Sequence, residues 1–296
     1  MPRRVTIPRR YRLHAELAFV TVVIGVGLSV ALPRLRERAE DERQRQFREG
    51  SLLIYQGDLD GLRSFVREYK ASAVADTRGN GHTLLHVASG QRNPKMMLVL
   101  FDAGLNADAS EDDGKTPLFS VFETHDPQYN PMGAADATAL LLEHGADPNA
   151  VDRVGRTPLL VAVQNGERDA AQLLIGAGAD VNKRREASPA TPLLAAVADG
   201  RIELAQILLE AGADPNIPDW NGESCLHLAV RADDVEMLTL LLEHKANPAI
   251  SSTVHAQTPL DLAREIGCGA CSIHLAGGQL SRRRTFINSR IRPSVR

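Results

Sequence analysis

Six segments recur along the chain in nearly constant register: TLLHVA from Thr83, TPLFSV from Thr116, TPLLVA from Thr157, TPLLAA from Thr191, SCLHLA from Ser224 and TPLDLA from Thr258. Successive starts lie 33, 41, 34, 33 and 34 residues apart. A second landmark trails each start: Ala103-Gly104, His144-Gly145, Gly176-Ala177-Gly178 and Ala211-Gly212, with Asn106, Asn149, Asn182 and Asn216 soon after. Two landmarks in fixed register define a repeat array. Each unit of such an array leaves apolar surface on both sides, which only stacking against its neighbours buries. Aromatic residues make up 4% of the chain against 43% hydrophobic, which suits small, closely packed helices better than a β-sandwich. Three cysteines are too few to staple 296 residues, so apolar burial must hold the core.

Within one unit, Thr157 is placed to cap a first helix, Pro158 suits its first position, and Leu159 with Leu160 begins the buried stripe. Gly166 falls in the break between two helices. Ala170, Leu173, Leu174 and Ile175 supply the apolar face of the second, and Gly178 offers the left-handed conformation that ends it.

The T-P-L-H-x-A and G-A-D-x-N signatures in this order resemble the ankyrin-repeat family, over roughly Gly50 to Leu280. Upstream, Gly57 aligns with Gly166 and Gly200, so a divergent capping unit begins near Arg48 and the repeat domain runs over 48–280, with about seven units including caps. The resemblance implies an all-α solenoid of stacked helix-turn-helix units with β-hairpin-like turns. It also implies that a partner protein is held by the hairpin tips and the inner helices. Three departures mark this chain: about eight extra residues around His125 to Asp136, an acidic turn with Asp108, Glu111, Asp112 and Asp113, and Lys245 where the fifth unit should have Gly.

The tips contain Asp112, Asp113, Arg153, Val154, Arg184, Arg185, Asp219, Trp220, Val254 and His255. Trp220 is the one Trp of the chain, and nothing in the repeat needs it there. It is either a binding anchor or a ring folded back on the neighbouring hairpin. His86 and His227 hold the TPLH position, where the resemblance implies hydrogen bonding between successive turns. No partner ligand lies at metal spacing in the sequence, so no metal site is expected. Cys268, Cys271 and His274 have spacing open to a local disulfide, two buried thiols, or a redox or metal role. There is no Gly-rich phosphate loop after a strand, no GxSxG and no HExxH; neither catalysis, a cofactor nor a small-molecule substrate is expected.

The net charge of -3 conceals a segregated distribution: five Arg and no acid in residues 1–12, six Arg and no acid in residues 282–296, and -14 between them. An acidic body argues against nucleic acid as a partner. Residues 1–14 read as a basic tail, 33–47 as a charged stalk and 281–296 as a flexible basic tail. Residues 15–32, AELAFVTVVIGVGLSVAL, would span about 27 Å as a helix, enough for a transmembrane segment. A cleaved signal sequence and a buried helix are the competing readings, and Ser29-Val30-Ala31 has small residues suited to cleavage. The arginines flanking this segment nearly balance. The short tail with its five Arg resists translocation, so the N-terminus is expected inside and the repeat domain on the exported side. The expected function is a membrane-tethered scaffold or adaptor. The alternatives are a redox- or metal-responsive protein acting through Cys268 and Cys271, and a secreted soluble binder.

Overall fold

In the computed structural model, described for residues 37, 39–74, 81–123, 133–184 and 190–277, Thr157 does cap a helix: its Oγ1 accepts the Leu160 amide at 3.2 Å, and Thr191 does the same for Leu194. The helices are α1 (39–56), α2 (Leu59–Val74), α3 (Leu84–Gly90), α4 (Pro94–Asp102), α5 (Pro117–Glu123), α6 (Ala134–Glu143) and α7 (Pro158–Asn165), followed by α8 (Arg168–Gly176), α9 (Pro192–Ala198), α10 (Ile202–Glu210), α11 (Cys225–Arg231), α12 (Val235–Glu243), α13 (Pro259–Ile266) and α14 (269–277). From α3 onward the odd-numbered helices to α13 stack on one another as an inner layer, and α2 to α12 stack as an outer layer. The inner helices α5, α7 and α9 are short and bury apolar residues nearly all round, as a helix covered by neighbours on both sides must, whereas α13 at the end of the layer buries one face only. Among the described residues the fold is all-helical, with no strands. The hairpin-like tips are turns, closed for example by Asp152 N to Arg156 O (3.1 Å) and Asp219 N to Glu223 O (2.9 Å).

The N-terminal cap differs from the internal units: α1 passes through residue 48 without a break, and Phe47 is already buried. Residues 15–32, both basic tails and Arg185 lie outside the described residues. Among the described residues no helix is long and apolar enough to cross a membrane.

The second helix of each unit corrects one expectation. In α8 the buried residues are Ala170, Ala171 and Leu174, whereas Leu173 is exposed and Ile175 half-buried. At 100° per residue, positions 170, 171 and 174 share a face that Leu173 misses.

Units are tied edge to edge by a ladder of side chains in the turns after the outer helices. Asp108 Oδ1 accepts the Asp147 amide, Asn149 Oδ1 that of Asp180, Asn182 Oδ1 that of Asp214 (2.8 Å each), and Asn216 Oδ1 that of Asn247 at 2.6 Å. Asn149 and Asn182 also donate to the carbonyls of Gly178 and Gly212. Asn106 is therefore not the equivalent of Asn149: its carboxamide accepts the Asp108 amide two residues on, as Asp147 does for Asn149, and Asp108 makes the rung. The two acceptor types are exchanged within this turn.

Lys245 takes the glycine's conformation, with φ 67°, at the cost of the clash between Cβ and the following carbonyl. Gly222 could not be replaced so cheaply. Its φ is 74°, and an added Cβ would stand 2.5 Å from the Thr253 amide nitrogen of the next tip.

Candidate functional site: the tips and the inner-helix cleft

Two of the tips are organised by an aspartate at the base. Asp152 Oδ1 accepts the amides of Val154 (3.1 Å) and Arg156 (2.7 Å), while Oδ2 accepts Arg156 Nε at 2.6 Å. Asp219 Oδ1 likewise accepts the amides of Asn221 and Glu223, both at 2.8 Å. These bonds hold Arg153 and Val154 outward on one tip and Trp220 on another, all exposed. Asp219 thus spends its carboxylate inside its own tip. Successive tips are joined by single backbone bonds, Arg153 N to Asp113 O (2.6 Å) and Thr253 N to Asn221 O (2.9 Å).

Trp220 is 73% exposed, so the ring is not folded back on its neighbour. It forms one wall of a cleft of about 260 Å³ whose floor is Leu194, Ala195 and Ala198 of α9 with Leu228 of α11, and whose polar edge is Gln164, Asp199 and Asp219. Inner helices and a tip therefore meet in one apolar depression, which sequence spacing alone did not reveal. Arg184 is exposed on the adjacent tip and donates to the Pro218 carbonyl at 3.4 Å; His255 and Val254 are exposed on the tip beyond.

Farther along, the acidic turn is paired rather than bare. Lys115 Nζ lies 3.1 Å from Asp113 and 2.8 Å from Glu123, which Arg156 also approaches at 3.6 Å. Burial pushes the Asp113 carboxyl up, but hydrogen bonds from the Lys115 side chain and backbone outweigh it and hold the group below the usual carboxylate range. The bond to Glu123 raises Lys115 in turn, against partial burial. Asp112 remains exposed.

Stacking brings together groups that the sequence keeps apart. His82 Nδ1 and Glu111 Oε1 are 2.5 Å apart, and His86 Nε2 lies 3.9 Å from the same oxygen, so ligand atoms of His82, His86 and Glu111 fall within 4.8 Å of one another. Glu111 arrives from the next tip, so stacking brings a carboxylate near His86 that spacing along the sequence does not show. Chemistry nevertheless ties up the imidazole: His86 Nδ1 accepts the Thr83 amide at 3.1 Å, which leaves the proton on Nε2, facing the Lys115 carbonyl at 3.4 Å. His227 repeats this with Ser224 and the Gln257 carbonyl, at 3.1 and 3.0 Å.

Residues 132–185 match the family described as ankyrin repeats (3 copies), and residues 193–242 match ankyrin repeats (many copies). The repeats are ankyrin repeats. Their fold is shared with the crystal structure of the ankyrin-repeat domain of Bcl-3, at a TM-score of 0.65 and 25% identity, covering 75% of this chain and 96% of that domain. The B-cell lymphoma 3 protein homolog of Mus musculus is 36% identical over 117 residues, 38% of this chain and 24% of that protein. Rabankyrin-5 of Mus musculus is 31% identical over 201 residues, 62% of this chain and 16% of its own length. The chain thus spans less than a quarter of either relative. Ankyrin repeats are protein–protein interaction modules, and the exposed tips with the cleft behind them are the surface these repeats leave free.

Proposed function

We propose that this chain is a membrane-tethered adaptor that seats a partner protein in the cleft beside Trp220. The observation that carries this reading is the 73% exposure of the single Trp against an apolar depression between α9 and α11. A large rigid ring beside a pocket of small side chains is the arrangement that concentrates binding energy. Arg184, on the adjacent tip, adds a positive rim.

Affinity capture with the full chain and with Trp220→Ala tests it. Captured partners should bind the variant at least about thirtyfold more weakly, or about 2 kcal/mol, with the melting midpoint unchanged. Trp220 emission should be red-edged and open to quenchers in the free protein and shift to the blue on binding. Equal affinity of the two proteins would remove Trp220 from the interface.

Tethering rests on the apolar run at 15–32, and export of the repeat domain on the arginine-rich tail before it. The full chain should stay with the membrane pellet through an alkaline wash. Replacing Val23 and Val26 with Lys should release it, because a central Lys costs roughly 2.5 to 3.5 kcal/mol on insertion. Release of the unaltered chain would overturn the tether, and a mature N-terminus beginning after Ala31 would make the protein a secreted binder.

A further inference from the structure

The last unit ends in a feature that partner binding does not use. Cys268 caps the N-terminus of α14 and is disulfide-bonded to Cys271, one turn into that helix. Cys268 Sγ accepts the Cys271 amide at 3.0 Å. A bond between residues three apart constrains the unfolded chain less than almost any other cross-link, so stability is a weak reason for it.

The two sulfurs are not equivalent. Cys271 is fully buried, whereas Cys268 retains 7% exposure and is flanked by exposed Gly267, Gly269 and Ala270. The Cys271 amide and the end of the α14 dipole both favour negative charge on Cys268 Sγ. Asp233 places Oδ1 3.6 Å from Cys271 Sγ. It comes from the turn between α11 and α12, held at φ 53° with its amide donating to the Val230 carbonyl, so the preceding unit sets its position. Cys225, the third cysteine, is fully buried and its thiol is pushed up to about 12 by burial, which leaves it inert.

We propose that Cys268 and Cys271 form a thiol–disulfide exchange site for a dithiol co-reactant, with Cys268 the attacked sulfur and Asp233 the group that exchanges a proton with Cys271. In the forward direction a dithiol's thiolate attacks Cys268 Sγ. The Cys268–Cys271 bond breaks, and Cys271 leaves with the electron pair and takes a proton by way of Asp233. The second thiol of the co-reactant then loses its proton to solvent and attacks its own sulfur in the mixed disulfide. Cys268 is released as a thiolate at the helix N-terminus. The dithiol is oxidised to its disulfide by two electrons, and the protein is reduced by the same two. This chemistry is independent of the proposed partner cleft.

The test uses the full chain under native conditions, with dithiothreitol as the dithiol. Dithiothreitol should render Cys268 and Cys271 alkylatable while Cys225 stays unmodified, and oxidised dithiothreitol should restore the bond. In Cys271→Ser, glutathione disulfide should leave one glutathione on Cys268. Cys268→Ser should form an adduct at least about tenfold more slowly. Asp233→Asn keeps a residue type that tolerates positive φ, so the melting midpoint should hold while closure of the reduced pair slows about tenfold or more. Resistance to dithiothreitol short of unfolding would make the bond structural and overturn the proposal. So would equal reactivity of the two Ser variants, unchanged closure in Asp233→Asn, or one zinc per chain retained by the reduced protein, which would assign Asp233, Cys268 and Cys271 to a metal instead.

Discussion

Leu174→Ala should destabilise the array by about 2 to 5 kcal/mol, lowering the midpoint of equilibrium urea unfolding. Leu174 is fully buried in α8, which packs against α6, α7 and α10, so truncation opens a cavity between three units rather than at a surface. Leu173, one residue earlier on the exposed side of the same helix, is the control; Leu173→Ala should cost less than about 1 kcal/mol. Equal effects at the two positions would mean that the helix is rotated from the orientation described above.

The second large effect is on acid stability. Burial, with the neighbouring His82 adding to it, lowers the His86 pKa from 6.5 to about 4. The folded state therefore binds fewer protons than the unfolded state between these values, and stability is full above pH 6.5 and falls as the pH drops towards 4. One pKa unit corresponds to about 1.4 kcal/mol, so the loss over this window is on the order of 3 kcal/mol. His86→Gln should flatten that window while lowering stability at pH 7, where the bonds to Thr83 and Lys115 are given up. Urea unfolding at pH 7, 5.5 and 4 measures both effects. A variant that loses as much stability as the parent between pH 7 and 4 would show that His86 is not the group being titrated.

What the sequence made legible was local. Thr157, Pro158 and Gly166 act within one turn of their own position, so their types and spacing announce the helix start and the break. The periodic face of α8 was read one residue out, because Leu173 is apolar and only its angle around the helix excludes it. Asn106 falls in line with Asn149, Asn182 and Asn216 as a landmark of the repeat, yet in Gly-Leu-Asn-Ala-Asp the acid and the amide have exchanged places, which residue type alone does not display. The site was less legible still. Glu111 reaches His82 across 29 residues and Asp233 reaches Cys271 across 38, close to one repeat in each case. Such pairs exist only because neighbouring units stack, so no motif within a unit displays them. Whether Trp220 stands out or folds back likewise depended on the adjacent tip.

The ladder from Asp108 to Asn247 fixes the advance from one unit to the next at the separation of packed helices, roughly 8 to 10 Å. An extended peptide rises about 3.3 Å per residue. A strand laid along the tips would therefore pass one tooth of this comb about every third residue, bringing alternate faces of the strand to successive tips. Arg153 and Trp220, two tips apart, would be read from one side of the strand and Arg184, on the tip between them, from the other, so a ligand matched to this array carries its message in a three-residue metre, with the complements of Arg153 and Trp220 on one edge and that of Arg184 on the opposite edge.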